Sequence, residues 1–405
     1  MHSGFTMPTI HHCRTQHPVG HGCFHDGVVS DGANSIRYVY DCGAVRRSRC
    51  DRLAQVYADS LPTNEIDALI VSHLHSDHVS GLDVLLASLT PRYVFLPYLR
   101  PVEHLLHVAA ALDGASPVAL AMSVDPAAWF IDRGAGEVVL VVRGNREGEA
   151  GPPRQLDEPP PEHVDDRPPL KFQRSPRPRG APVGVSYMRD DTEAHAFLGG
   201  ARWRLRFFVS DEATNLQVFE QAALREFELD ARHRNLLRDQ AWLRNGLKNR
   251  SWRAKLARAY RSLGRGLNYA SLCAYSGPTG RCRNVNARSN AGPWTSAPGW
   301  LAAGDAELAD EDRCNAFCQH FADVAEHVGT LMLPHHGSIA NFNPMLIEHF
   351  RPSVTVVTAP ARTTKKARRH PHRSVVLAAR DFSEAFRIVT DRETSELWER
   401  VEVEF

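Results

Sequence analysis

Apolar residues along the chain follow two rhythms. Short runs that fit β-strands fall at residues 35–40, 67–72 (DALIVS) and 137–142. They return at 197–209, 271–275, 299–303, 330–334, 353–358 and 386–390, with a closing strand that ends at Phe405. Helical spacing predicts helices over 79–88, 314–328 and 373–380. A longer helical region covers 210–263, where Leu216, Phe219, Ala223, Phe227, Leu243, Leu247, Leu256 and Tyr260 recur on helical intervals. Asp211 with Asn215 can start it, and Gly264 and Gly266 stop it. Between 144 and 182 ten prolines and many charges leave few large apolar side chains, so this part reads as a loop or an extended surface insertion. No internal repeat marks a solenoid or propeller.

Composition narrows the classes. With 405 residues, 43% of them hydrophobic, the chain can bury a sizeable core in one large domain with insertions or in two domains. Collagen-like, wholly disordered and disulfide-scaffold proteins are excluded. A formal net charge of +1 provides no global field for nucleic acid or membrane, so any such attraction must come from local clusters. One lies at 240–265, with eight Lys or Arg, no acid, and Trp242 and Trp252. It reads either as a solvated helix face or as a basic arm for an anionic partner. The N-terminus lacks a secretory pattern and no run reaches the ~18 apolar residues of a membrane span. The eight cysteines form no CxxC pair, so reduced thiols in a cytoplasmic protein are expected. Cys314 and Cys318, one helical turn apart, fit helix packing better than a structural zinc site.

The chemistry concentrates in histidine, of which there are 21. His73, His75, Asp77 and His78 crowd into six residues between an apolar strand and an amphipathic helix. Imidazole and carboxylate at this spacing can converge at a strand's carboxyl end and suit Zn²⁺, and also Mn²⁺ or Fe. A merely His-rich polar turn would not need the strand before it and the helix after it. Asp305 follows Gly304 at the end of another strand, where a carboxylate can bridge two cations. His335 and His336 precede a Gly-Ser turn after a third strand and offer a ligand and a proton-handling group. His370 and His372 flank Pro371 at a helix start, within a basic run holding Arg362, Lys365, Lys366, Arg368, Arg369 and Arg373. Cations beside a helix N-terminus suit an anion, and a solvated loop is the plainer alternative.

These motifs resemble the metallo-β-lactamase superfamily, whose signature is HxHxDH, and within it the hydrolase domain of the DNA-uptake competence protein ComEC and its stand-alone relatives. The resemblance runs in order along nearly the whole chain. Val19-Gly20-His21-Gly22 stands where those relatives have a Gly-Gln-Gly strand start, with His21 in place of Gln. Tyr40-Asp41-Cys42-Gly43, HLHSDHVSGL, the segment from Asn268 to Ser271, LAAGDAEL, LPHHGS and His370-Pro371 match the later motifs. The resemblance implies an αββα four-layer sandwich of the α/β (α+β) class. On that basis 1–143 and 267–405 are the two halves of the domain, 144–190 a Pro-rich insertion, 191–209 core strands and 210–266 a basic helical insertion. It implies two divalent metal ions, zinc foremost. His73, His75 and a third histidine would bind the first; Asp77, His78 and His335, with His336 as alternate, the second; Asp305 would bridge. No third histidine is evident from the motifs, and His195 is a guess. Asp77, His336 and His370 are the candidate catalytic groups. The expected function is a metal-dependent hydrolase, a phosphodiesterase or nuclease, acting on nucleic acid or another phosphate-bearing substrate. Alternatives are hydrolysis of a lactam, lactone, thioester or peptide, or a metal-binding sensing or scaffold subunit whose insertions bind a protein partner.

Overall fold

The computed structural model describes residues 9–114, 116–144, 170–176, 182–210, 216–263, 270–280, 282–290, 292, 297–361 and 370–405. The chain begins with β1 (Thr9–Gln16), β2 (Gly22–Ser30) and β3 (Ser35–Ala44), then α1 (Arg47–Ser60) and β4 (Glu65–Ile70). The short helices α2 (Ser76–Val79) and α3 (Leu82–Ser88) lead to β5 (Thr90–Pro97). Helices α4 (Pro101–Leu112), α5 (Pro117–Val124) and α6 (Pro126–Ile131) precede β6 (Glu137–Val142) and β7 (Val185–Arg189). A hairpin of β8 (Glu193–Leu198) and β9 (Ala201–Val209) is followed by α7 (Leu216–Glu226), α8 (Gln240–Gly246) and α9 (Arg250–Arg261). Strands β10 (Leu272–Pro278), β11 (Asn284–Ser289) and β12 (Gly299–Ala302) come next. The remainder alternates α10 (Glu311–His320), β13 (Val328–Met332), α11 (Met345–Phe350), β14 (Val354–Thr358), α12 (Arg373–Phe382) and β15 (Ala385–Val389), and closes with β16 (Leu397–Glu404).

Two mixed sheets result. The first has nine strands in the order β11-β16-β1-β2-β3-β4-β5-β6-β7; the second has seven, β15-β14-β13-β12-β10-β9-β8. Strands β3 to β7 pair in parallel in the first sheet, as do β12 to β15 in the second. The sheets face each other across a core in which Tyr40, Ile70 and Phe95 of the first meet Phe207, Leu272 and Trp300 of the second. The outer face of the first sheet is covered by α1, α3, α5 and α6 through Ala54, Leu85, Met122 and Phe130. Helices α10 to α12 cover the second through Phe317, Ile347 and Val375. The layers are therefore helix, sheet, sheet, helix, the sandwich of an α/β protein. A separate apolar cluster joins α4 to the 216–261 helices through Leu105, Phe219, Leu243 and Leu256.

Several boundaries differ from the sequence reading. The helix expected over 79–88 is broken at Ser80–Gly81: the Gly81 N–H donates to the Cys42 carbonyl at 2.9 Å, and Ser80 Oγ exchanges hydrogen bonds with Ala44. The strand expected over 197–209 is a hairpin, turned at Gly199 and Gly200, which both have positive φ (55° and 86°). Residues 185–189, within the expected Pro-rich stretch, form an edge strand of the first sheet. The cations of 240–263 are largely matched by acids on neighbouring helices: Arg244 with Asp125, Lys255 with Glu228, Arg258 with Glu226 and Arg261 with Asp113. This favours the solvated face over a free basic arm. Arg265 lies outside the described residues, as do the expected caps Asp211, Asn215, Gly264 and Gly266. Among the described residues no helix is long and apolar enough to cross a membrane.

Candidate metal centre

The carboxyl ends of parallel strands from both sheets meet at one place, where open α/β sheets ordinarily bind ligands. The first sheet contributes the loop after β4, which carries His73, His75, Asp77 and His78. The second contributes Asp305 after β12 and His335 and His336 after β13. The metal loop lies directly on the end of β3: a Cβ on Gly43 would come within 2.4 Å of the His78 and Val79 backbone. On the other side, the His335 N–H donates to the Gly304 carbonyl at 2.9 Å, which ties the histidine pair to the aspartate segment.

Asp305 stands between the two sheets. Its Oδ2 is 3.5 Å from His73 Nε2 and 3.9 Å from His335 Nε2, and its Oδ1 is 3.4 Å from His78 Nε2. Asp77 Oδ2 is 3.3 Å from His336 Nε2, 3.4 Å from His21 Nε2 and 4.0 Å from His78 Nε2. The His75 ring stands edge-on to His73, with centroids 4.8 Å apart. Most of these separations exceed the ~2.7–3.2 Å of a good N–H···O bond. Ligands ~2.0–2.1 Å from one tetrahedral cation lie roughly 3.3–3.4 Å from each other, close to the His73–Asp305, His78–Asp305, His336–Asp77 and His21–Asp77 separations, while His335–Asp305 and His78–Asp77 are wider. His73 Nε2, His78 Nε2 and Asp305 Oδ1 are buried and take no hydrogen bond among the described residues. Buried polar atoms left this way are costly unless something else satisfies them, and a divalent cation does.

The surrounding groups, in contrast, are at true hydrogen-bond distance. Asp41 accepts from the Ser72 N–H and Ser72 Oγ, both at 2.7 Å, and pairs with His78 Nδ1 at 2.8 Å. His336 Nδ1 is 2.9 Å from Thr358 Oγ1. Each contact fixes a ring so that its Nε2 faces the centre, the support that metal-binding histidines receive. Asp41, His335 and His336 have left-handed backbones (φ 56°, 46° and 57°), strain of the kind that collects at functional sites.

Electrostatics agrees with a cation-binding role. Burial would raise the Asp305 carboxyl, but His335, His78 and His73 outweigh it and hold it well below the usual range. Burial would likewise raise Asp77, and His78 with the His21 and His336 contacts reverses this. Burial and then the His78 charge push His73 well down, and burial with the neighbouring His21 takes His336 down to about 4. Both carboxylates are thus ionised and both rings neutral, the forms that bind metal. Burial also opposes the charged form of His78, but Asp305, Asp41 and Asp77 together hold it well above the ordinary value. A cation beside it would displace that proton.

The candidates read from the motifs, His73, His75, Asp77, His78, Asp305, His335, His336 and His370, are all at this place. His370 is at the rim, its ring stacked toward His335 with centroids 5.9 Å apart. His335, expected beside Asp77, instead faces the Asp305 oxygen that His73 approaches, and its partner His336 takes the Asp77 side. His195 is elsewhere: it lies on the edge hairpin, 3.5 Å from Glu193, and belongs to neither cluster. Of the basic run before His370, residues 362–369 lie outside the described residues. The sequence motifs do not mark His21 as a site residue; its only signal there is that it stands in place of Gln. Beside the centre a cavity of about 180 Å³ is lined by His75, Asp77, His107, Ala110, Ala111 and Tyr260. Its far wall comes from α4 and from α9 of the helical insertion.

Residues 33–165 match the model of the family described as Metallo-beta-lactamase superfamily, whose members are metal-dependent hydrolases. The described two-sheet sandwich is consistent with that family's fold. No curated protein matches the chain. Among solved structures, the metallo-beta-lactamase fold protein YhfI from Bacillus subtilis matches at 9% identity and a TM-score of 0.38, over 96% of this chain and 99% of that one. A long form RNase Z from yeast matches at 9% identity and a TM-score of 0.31, over 86% of this chain and 37% of that one.

Proposed function

We propose that the chain is a metallo-β-lactamase-type hydrolase that cleaves phosphodiesters, a phosphodiesterase or nuclease, with two divalent cations, zinc foremost. The observation that carries the reading is Asp305, whose two oxygens face different histidines: His73 and His335 on one side, His78 on the other. His73, His75 and His335 would hold the first cation and Asp77, His78 and His336 the second, with Asp305 reaching both. When bound, such a pair supplies a water acidified toward neutral pH and a clamp on developing negative charge.

The protein's own groups do the rest. Asp41 and Thr358 hold His78 and His336 in register. Asp77, ionised and shared between His21 and His336, orients the attacking side. His336, held at Nδ1 by Thr358 with Nε2 turned to the centre, serves better as a ligand than as a proton donor. His370, partly exposed at the rim, is the group left to hand a proton to the departing alcohol. The preference for a phosphodiester rests on the sequence, where Arg362, Lys365, Lys366, Arg368 and Arg369 immediately precede His370. The small cavity at His75 has room for one ring-sized group, well under the ~300–1,000 Å³ of a typical ligand pocket.

The test is a substrate panel with Zn²⁺- or Mn²⁺-loaded protein: DNA, RNA and bis(p-nitrophenyl) phosphate against p-nitrophenyl acetate and a lactam. Cleavage of the phosphodiesters, lost in the His75→Ala/Asp77→Ala double variant, is expected. Turnover of the carbonyl substrates alone would move the reading to ester or amide hydrolysis. Equal behaviour of wild type and double variant on every substrate would remove it.

A further inference from the structure

His21 comes from the turn between β1 and β2, which supplies no other group to the centre. Its Nε2 is 3.4 Å from Asp77 Oδ2, the oxygen that His336 Nε2 approaches at 3.3 Å from the opposite sheet. The three donor atoms lie within 4.8 Å of one another. The His21 ring packs against His336, with centroids 4.2 Å apart, and stands edge-on to His370 at 6.0 Å.

The turn is held in place for this. The Val45 N–H donates to the His21 carbonyl at 2.9 Å. A Cβ on Gly22 would come within 2.3 Å of the Gly43 carbonyl oxygen and 2.7 Å of the Asp77 carbonyl oxygen, so this backbone rests directly on the metal loop. Next to it, His336 Nδ1–Thr358 and His78 Nδ1–Asp41 are closed at 2.9 and 2.8 Å. The His21–Asp77 separation is longer, 3.4 Å, and lies in the roughly 3–3.5 Å range expected between neighbouring ligands ~2.1 Å from one cation. Two imidazoles and a carboxylate at that spacing form a nitrogen-and-oxygen donor set suited to Zn²⁺ or Co²⁺.

We propose that His21 is a metal ligand, binding through Nε2 the cation that Asp77 and His336 also hold. The inference rests on the two-cation reading above. It assigns a specific task to the first hairpin: fixing the second cation from the side of β1 and β2. It also places an imidazole where a water or a substrate oxygen would otherwise have access.

The experiment strips the full-length protein with a chelator, reloads it with Co²⁺, and compares wild type with His21→Gln and His21→Ala. Cobalt per chain after gel filtration and the visible ligand-field spectrum are read alongside a Co²⁺ titration. Glutamine can still donate a hydrogen bond to Asp77 but is a poor ligand, and the His21 side chain is 30% exposed, so the fold is not at stake. The expected result is two ions in wild type, with at least tenfold weaker binding of one of them and an altered spectrum in both variants. If glutamine behaves as wild type, whether or not alanine does, His21 only orients Asp77 or does nothing, and the proposal falls while the two-cation centre stands. A wild type that takes up no cobalt removes the centre itself. If it takes up one ion, the two-cation reading falls, and the same variants decide His21.

Discussion

Asp41 works through another residue. It touches His78 Nδ1 at 2.8 Å and Ser72 at two atoms, while His78 Nε2 faces Asp305. Asp41→Asn keeps the shape and removes the charge that orients the ring, and a loss of about 10–100-fold in metal affinity is expected by competition with a chelating dye. Unchanged affinity would mean that the β4 loop holds His78 unaided. His25 tests the core in the same way. Its ring lies flat on Trp300, with centroids 4.0 Å apart, and neither nitrogen takes a hydrogen bond among the described residues. Burial and then the Arg14 charge hold its pKa well below 6.5. The unfolded ring takes up a proton as pH falls through 6.5 and the folded ring does not. Its contribution is therefore present above that pH and lost below it. By urea unfolding, wild type should lose about 1.4 kcal/mol more than His25→Phe between pH 7.5 and 5.5; equal losses would contradict this. Histidines crowded into one motif were legible from the sequence. His21 was not, because its role depends on two chain segments meeting in space.

The helical insertion is the element whose function the sequence left most open. Its apolar stripe was legible, and Phe219, Leu243 and Leu256 do face a core. What that core packs against, α4, depends on contacts more than a hundred residues apart. The consequence is local: Ala110 of α4 and Tyr260 of α9 wall the cavity at His75. Ala110→Leu should fill it and raise KM at least tenfold for an aryl phosphodiester, with KM for a dimethyl phosphodiester little changed. An equal effect on both esters would place the substrate elsewhere. Strand β1 escapes the sequence for a different reason. In β1 the inward positions after Ile10 are His12, Arg14 and Gln16, all buried. Arg14 is satisfied between the sheets by Glu399 at 2.8 Å and Thr330 at 2.9 Å. A strand that buries a polar network does not show the apolar alternation by which strands are recognised.

Across the whole molecule, the centre joins two sheets that elsewhere meet through apolar packing and the Arg14–Glu399–Thr330 network. The first provides His73, His75, Asp77 and His78; the second provides Asp305, His335 and His336. The order of the motifs along the chain was readable and pointed to the sandwich. Which histidine of the 335–336 pair faces which carboxylate was not, because it depends on the left-handed backbone at both. Cations bound across this seam should stabilise the fold. At a free concentration ~100 times Kd the gain is about 2.7 kcal/mol, a rise of several degrees in Tm that a chelator abolishes and Zn²⁺ restores. The most direct test of the centre is native mass spectrometry of zinc-loaded wild type beside Asp305→Asn. Two zinc ions per wild-type chain, with at least one lost in the variant, is the predicted result. A wild-type mass with no bound metal, or an Asp305→Asn chain that retains both ions, would contradict a centre built around Asp305.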